Sequence, residues 1–154
     1  MLDTPPVIDI LATLVVIASV FLLIYFAVKT LITSNYFQKG INLYQQKDYP
    51  GAEAEFRKVI AINSTNDVVR LFLGDVVYQQ DRISEATELF QEVIRRSPKN
   101  PEAYLRLANV LMQQNQPEAA KTNLQTAQNL FQKRQPEKAQ KVAQLLAKIN
   151  AKST

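Results

Sequence analysis

Chemistry in a protein needs groups that can pass protons, attack as nucleophiles or hold metals, and this 154-residue chain has few: it contains no histidine and no cysteine. Imidazole acid-base work, thiolate nucleophiles, disulfides and Cys/His zinc sites are excluded together. Carboxylates, lysines, tyrosines and hydroxyls remain. The most suggestive spacings are Glu53/Glu55 and Glu85/Glu88/Glu92, because two carboxylates in unlike environments can serve as acid and base. Both groups fall in helical stretches, where such spacing more often makes a solvated face. The only glycines are Gly40, Gly51 and Gly74, too scattered for a phosphate-cradling loop. The expectation is a protein with no catalytic residues, no cofactor and no metal.

Charge placement narrows the partners. From Asn35 to Gln132 there are 11 Lys/Arg against 11 Asp/Glu, while Lys133 to Thr154 carries 6 Lys/Arg against Glu137 alone. A nucleic-acid partner would need a basic face on the folded core, and the core is balanced. The chain is long enough for one modest soluble domain and an anchor, and too short for two globular domains.

The elements that carry these residues repeat. Gly40, Gly74 and Ala108 are spaced by 34, as are Ala52, Ala86 and Ala120, Phe56, Phe90 and Leu124, and Val59, Val93 and Ala127. Each column has a physical task. Small residues at Gly40/Ala52, Gly74/Ala86 and Ala108/Ala120 let two antiparallel helices approach closely. The column of Phe56, Phe90 and Leu124 fills the space between them, and the column of Val59, Val93 and Ala127 faces the next hairpin. Helix starts are marked by Asn100-Pro101-Glu102, Gln116-Pro117-Glu118 and Gln135-Pro136-Glu137, with turns at Asp48-Tyr49-Pro50 and Asp81-Arg82-Ile83. The predicted helices cover 34–47, 50–63, 67–80, 83–96, 101–114, 117–132 and 136–151, with no strand.

These columns resemble the tetratricopeptide repeat. The second unit matches best, with Leu73-Gly74, Tyr78, Ala86, Phe90 and Pro98 at the family's positions. The usual early aromatic is present as Tyr36 and Tyr104 but is Arg70 in the second unit, and the closing proline is replaced by Ser64 and Gln132. The resemblance implies an all-α fold, a right-handed α-solenoid of three helix hairpins with a C-terminal capping helix; the apolar run ahead of it adds an N-terminal transmembrane helix. The expected organisation is a leader at 1–6, an anchor at 7–32, repeats at 33–66, 67–100 and 101–134, and a capping helix with a basic tail at 135–154. In the last segment Ala139, Val142, Ala143, Leu146 and Ile149 recur at helical spacing, with Lys138, Lys141, Gln144 and Lys148 on other faces. That basic face either keeps the end of the stack soluble or meets anionic lipid or an acidic partner.

In this family the first helices of successive units line a concave groove. The matching positions are Phe37, Ile41 and Tyr44, then Leu71, Asp75 and Tyr78, then Leu105, Asn109 and Met112. Some of these could instead pack between hairpins, Phe37 and Leu105 above all. An apolar groove with Asp75 and Asn109 as polar fixings suits an amphipathic helix or an extended apolar segment. The Lys/Asn/Arg clamp by which some relatives grip acidic chaperone termini is not expected, since Phe37 and Ile41 stand at its first-unit positions and only Arg106 would serve.

The residues before the repeats read as a membrane span. Ile10 to Val28 holds 19 residues without a charge, enough at ~1.5 Å per residue to nearly cross a ~30 Å hydrocarbon layer. A cleaved signal peptide fits poorly, because Asp3 and Asp9 replace the basic leader and no small-x-small site follows. Lys29 and Lys39 follow the run and no Lys or Arg precedes it, which places the N-terminus outside and the repeats in the cytoplasm or, in a photosynthetic membrane such as the thylakoid, the stroma. Tyr25 and Lys29 fall at the inner interface. No proline or glycine interrupts Val7 to Lys39, so the span can run straight into the first soluble helix.

The expected function is that of a membrane-tethered scaffold or adaptor with a protein partner, an apolar or amphipathic segment of a membrane-complex subunit, which it helps to assemble or stabilise. No nucleic-acid partner is expected. The architecture is similar to that of the photosystem I assembly factors of cyanobacterial and chloroplast thylakoids, and less closely to anchored repeat proteins of bacterial envelope biogenesis. The alternative is a self-associating structural module, a homo-oligomer formed through the groove or through the small residues Ala12, Thr13, Ala18 and Ser19 of the span.

Overall fold

A computed structural model describes residues 6–152 of the chain; the expected leader, apart from Pro6, lies outside the described residues. These form seven helices and no strand: α1 (Pro6–Gln45), α2 (Tyr49–Ile62), α3 (Asp67–Gln79), α4 (Ile83–Arg96), α5 (Pro101–Gln113), α6 (Pro117–Gln132) and α7 (Pro136–Lys152). The apolar N-terminal run, expected to be able to continue into the first soluble helix, does so: the two are one helix of 40 residues. The other borders fall within two residues of those predicted, because the caps are local. Asp48, Asn66 and Asn100 each accept a hydrogen bond from a first-turn amide of the helix they precede, on Gly51, Val69 and Glu102, and Pro50, Pro101 and Pro117 occupy first-turn positions where no amide hydrogen is needed.

The helices pair in sequence order, α1 on α2, α3 on α4 and α5 on α6, with α7 on α6. Three buried clusters result. The first joins Ala52, Phe56 and Val59 of α2 to Val69, Leu73, Val76 and Val77 of α3. The second joins Ala86, Phe90 and Val93 of α4 to Ala103, Leu107 and Val110 of α5. The third joins Ala120, Leu124, Ala127 and Phe131 of α6 to Ala139, Val142, Leu146 and Ile149 of α7. Each hairpin thus buries its apolar face against the next helix in line, and α7 covers the last one.

The closest helix approach is set by side-chain volume. A Cβ added at Gly40 would lie 2.6 Å from the Phe56 ring, and one at Gly74 would lie closer still to the Phe90 ring. In the third hairpin the chain carries Ala108 opposite Leu124, both buried in one cluster. The pair is glycine with phenylalanine twice and alanine with leucine once, so a gain on one helix is matched by a loss on the other.

The turns inside the hairpins share one geometry. Lys47, Asp81 and Asn115 have φ of 62°, 61° and 56°. In each turn the left-handed residue's amide donates to the carbonyl three residues back, and the next amide to the carbonyl five back, as in Asp48 N to Leu43 O at 2.9 Å and Gln116 N to Leu111 O at 2.9 Å. Asp and Asn tolerate this conformation through local hydrogen bonding; lysine has no such compensation.

Two stability predictions follow from this packing, both checked by denaturant unfolding of the full chain in detergent. Gly74→Ala will destabilise the fold by about 1–3 kcal/mol through overpacking against Phe90, and Gly74→Ala with Phe90→Leu will recover most of the loss because it recreates the third hairpin's pair. Lys47→Gly will stabilise by about 0.5–1 kcal/mol, while glycine at Asp81 or Asn115 will gain less.

Candidate functional site

The groove is built on one side of α1, α3 and α5. Of the residues expected to line it, Tyr44, Asp75, Tyr78 and Asn109 converge with Arg106 around a hollow of about 120 Å³. Beyond Asn109 a larger hollow of about 630 Å³ opens, walled by Met112 and Pro117 and by Leu145 and Ile149 of α7. Asn109 borders both hollows. Met112 is 40 % exposed, and Asn109 is also exposed.

The remaining candidates do more packing than lining. Phe37 is half-buried between Phe56 and Phe72, with ring centroids 6.0 and 5.6 Å away. Ile41 and Leu105 are half-buried against the first and third clusters. Leu71 is 5 % exposed inside the second cluster, where it serves the stack. Sequence reasoning missed the wall that α7 provides: Leu145, which borders the capping helix's apolar stripe, was the available signal.

An ion pair holds the middle of the groove. Arg106 Nε donates to Asp75 Oδ1 and Oδ2 at 3.0 and 2.8 Å, and its Nη1 to Glu102 Oε2 at 3.0 Å. This ties α5 to α3 across adjacent hairpins. Burial pushes the Asp75 carboxyl above its ordinary range, and the Arg106 guanidinium pulls it part of the way back. Burial and the nearby Asp75 charge also raise the Tyr44 phenol. Arg106, the one residue available for a carboxylate clamp, is therefore already engaged within the chain.

The carboxylates that could have suggested acid-base chemistry lie elsewhere: Glu88 is exposed on the surface of α4, and Glu53, Glu55, Glu85 and Glu92 are held in ion pairs. Glu53 accepts from Gln80 at 2.8 Å, from Arg82 at 2.6 Å and from Arg57 at 2.8 Å, and Glu85 binds both Arg57 and Arg82. For Glu53, burial alone would raise the carboxyl, but those hydrogen bonds outweigh it and hold it below its ordinary value. Glu55, expected on a solvated face, is instead 4 % exposed. Lys39 at 2.9 Å and Lys58 at 3.0 Å neutralise it, and the hydrogen bond from Lys39 is the chief reason its carboxyl is held low. Arg70, at the position of the missing aromatic, is 5 % exposed. It pairs with Glu92 at 3.1 Å and donates to Ser64 O at 2.8 Å, so a buried guanidinium bridges the place where a ring would pack. Among the described residues no cluster of carboxylates is arranged to hold a metal ion.

A family model for the tetratricopeptide repeat matches residues 43–93 and 78–149, together more than half of the chain. No curated protein matches it. Among solved structures, the type III secretion translocator chaperone SycD of Yersinia enterocolitica is similar at 21 % identity and a TM-score of 0.73, over 79 % of this chain and 93 % of its own. PcrH from Pseudomonas aeruginosa is 15 % identical with a TM-score of 0.72, over 77 % and 91 %. The Arabidopsis OM64 repeat domain is 18 % identical with a TM-score of 0.67, over 78 % and 98 %. At these identities the likeness is one of fold.

The Asp75–Arg106 pair predicts a pH signature. The folded carboxyl of Asp75 titrates above its unfolded value, so its contribution to stability is fully present below pH ~4 and is lost as pH rises through the folded value. Arg106→Ala removes the compensating charge, raises that folded value further and enlarges the loss. The penalty of Arg106→Ala, read from melting curves of the full chain, will be small in acid and will grow to about 1–3 kcal/mol at neutral pH. A penalty independent of pH would contradict the pairing.

Proposed function

The chain belongs to the tetratricopeptide repeat family, and from that premise we propose that it is a membrane-tethered adaptor that holds an apolar or amphipathic segment of a membrane-complex subunit during assembly. The observation that carries the reading is the apolar hollow of about 630 Å³ between α5, α6 and α7, which meets at Asn109 the polar residues Asp75 and Arg106 of the smaller hollow. A space of that size takes several side chains of a bound segment, while Asp75 and Asn109 offer polar contacts that set its register. Proteins of similar fold have been captured with segments of other proteins: SycD with a peptide of the translocator YopD, and PcrH with the chaperone-binding regions of PopB and PopD.

Tethering is the second part of the proposal. Among the described residues α1 is the one helix long and apolar enough to cross a membrane. Its apolar side chains from Ile10 to Val28 are exposed, Leu23 at 69 % and Phe21 at 68 %, so none of them is covered by the rest of the chain. That is the opposite of a core helix. Lipid is the solvent in which such a surface is stable. With the span in a bilayer and the repeats on the cytoplasmic or stromal side, partners in the same membrane meet the groove at a raised local concentration, so modest affinity suffices. The resemblance read from the sequence to photosystem I assembly factors makes a photosynthetic membrane the first setting to test.

A photoreactive residue in place of Tyr78, activated in intact membranes, tests the reading. The expected result is a crosslink to a membrane-complex subunit that Met112→Asp weakens. Equal adducts from Glu88 on the outer face, or none from Tyr78, would remove the groove from the function, and adducts of the chain to itself would favour the self-associating module.

A further inference from the structure

Helix alternation puts the three turns between hairpins, α2–α3, α4–α5 and α6–α7, at one end of the stack and the turns within hairpins at the other. Hydrogen bonds lace the first set together. Arg96 Nη1 donates to Ser64 O at 2.6 Å, Ser97 Oγ to Asp67 Oδ2 at 2.5 Å, and Lys138 Nζ to Glu102 Oε1 at 2.5 Å. This edge lies beside α1 where its apolar run ends. Ile62 closes a hollow with Tyr25, Val28, Lys29 and Ile32, and Val68 another with Thr30, Thr33 and Ser34.

The chemistry of the edge differs from that of the far end. Val68 is 57 % exposed. Arg95, Lys99, Lys133 and Arg134 are exposed and form no ion pair among the described residues. Of the acids nearby, Asp67 is engaged by Ser97 and Arg96, Glu92 by Arg70 and Arg96, and Glu102 by Arg106 and Lys138, which leaves Glu137 as the opposing charge. At the far end Lys47 is accompanied by Asp48 and Asp81.

Resting on the reading of α1 as a membrane span, the geometry points to a second membrane contact: the edge formed by the three inter-hairpin turns lies on the surface of an anionic bilayer. Ile62 and Val68 enter the interfacial layer beside α1, and Arg95, Lys99, Lys133 and Arg134 face acidic lipid headgroups. A single span, rigidly joined to the domain through α1, can still tilt and rotate in the bilayer and carry the domain with it. This contact fixes it edge-down, with the groove opening sideways, toward segments of neighbouring proteins at the membrane surface.

The absence of cysteine allows a clean test on the full chain in vesicles. A fluorophore is attached at Gln135→Cys, in the inter-hairpin turn farthest along the chain from α1, or at Gln46→Cys at the opposite end, and headgroup-bound quenchers report contact. In phosphatidylcholine/phosphatidylglycerol vesicles at about 2:1, at low salt, the probe at 135 will be quenched and the probe at 46 will not. The quenching will be lost in pure phosphatidylcholine, at high salt, and when Arg95, Lys99, Lys133 and Arg134 are all changed to Glu. If the chain co-floats with anionic vesicles but the probe at 135 is no more quenched than that at 46, the docking is wrong and the span stands. If it does not co-float, the span falls and the docking with it. Quenching that survives charge reversal, or is equal in neutral lipid, refutes recognition of acidic headgroups.

Discussion

Everything in this structure depends on how closely the two helices of each hairpin can approach. Where glycine faces a phenylalanine ring, as Gly40 does Phe56 and Gly74 does Phe90, the backbone of one helix leaves room for the largest side chain on the other. The ring then fills the seam completely: Phe56 is 0 % and Phe90 1 % exposed. Interiors packed at this density tolerate little change in volume, which is why the third hairpin reaches the same end with Ala108 and Leu124. The seam also sets the angle at which Val59 and Val93 meet the next helix, and so the curvature of the stack and the groove.

On the proposed reading of α1 as a membrane span, the first hairpin carries an additional constraint, because its first helix also serves another solvent. α1 has no break between its lipid-compatible half and the half that packs on α2. Whatever holds the first hairpin therefore holds the anchor, and the direction in which the groove opens is set by the helix rather than by a linker. Charges reinforce the join without being its origin. Lys39 reaches Glu55 across the seam, Arg57 and Arg82 link Glu53 and Glu85 between hairpins, and Arg106 links Asp75 to Glu102. Each of these bonds joins elements that apolar packing has already brought together.

The parts legible in the sequence were those written locally or at a fixed period. Helix borders were readable because Asp48, Asn100 and the first-turn prolines act within a few residues of themselves. The hairpin pairing was readable because small and large residues recur every 34 positions. Roles that depend on partners from another helix were not readable. Arg70 reads as a departure from the repeat until Glu92 and Ser64 O come beside it, and Glu55 reads as a surface residue until Lys39 is placed over it. The groove shows the same division. Tyr44, Asp75, Tyr78 and Asn109 converge as their register implies, whereas Leu71 turns into the stack and α7 contributes a wall that no repeat position announces. Left-handed turns at Lys47, Asp81 and Asn115 share the period of 34, but their common geometry is masked by three different residue types.

The central claim is that bilayer anchor and repeat stack form one rigid body through an unbroken α1. It is tested most directly by the distance distribution between spin labels at Leu31→Cys and Glu88→Cys, measured on the full chain in nanodiscs. A single narrow distribution is the predicted result. A broad or two-peaked one would show a hinge between membrane and solenoid, and would contradict the account.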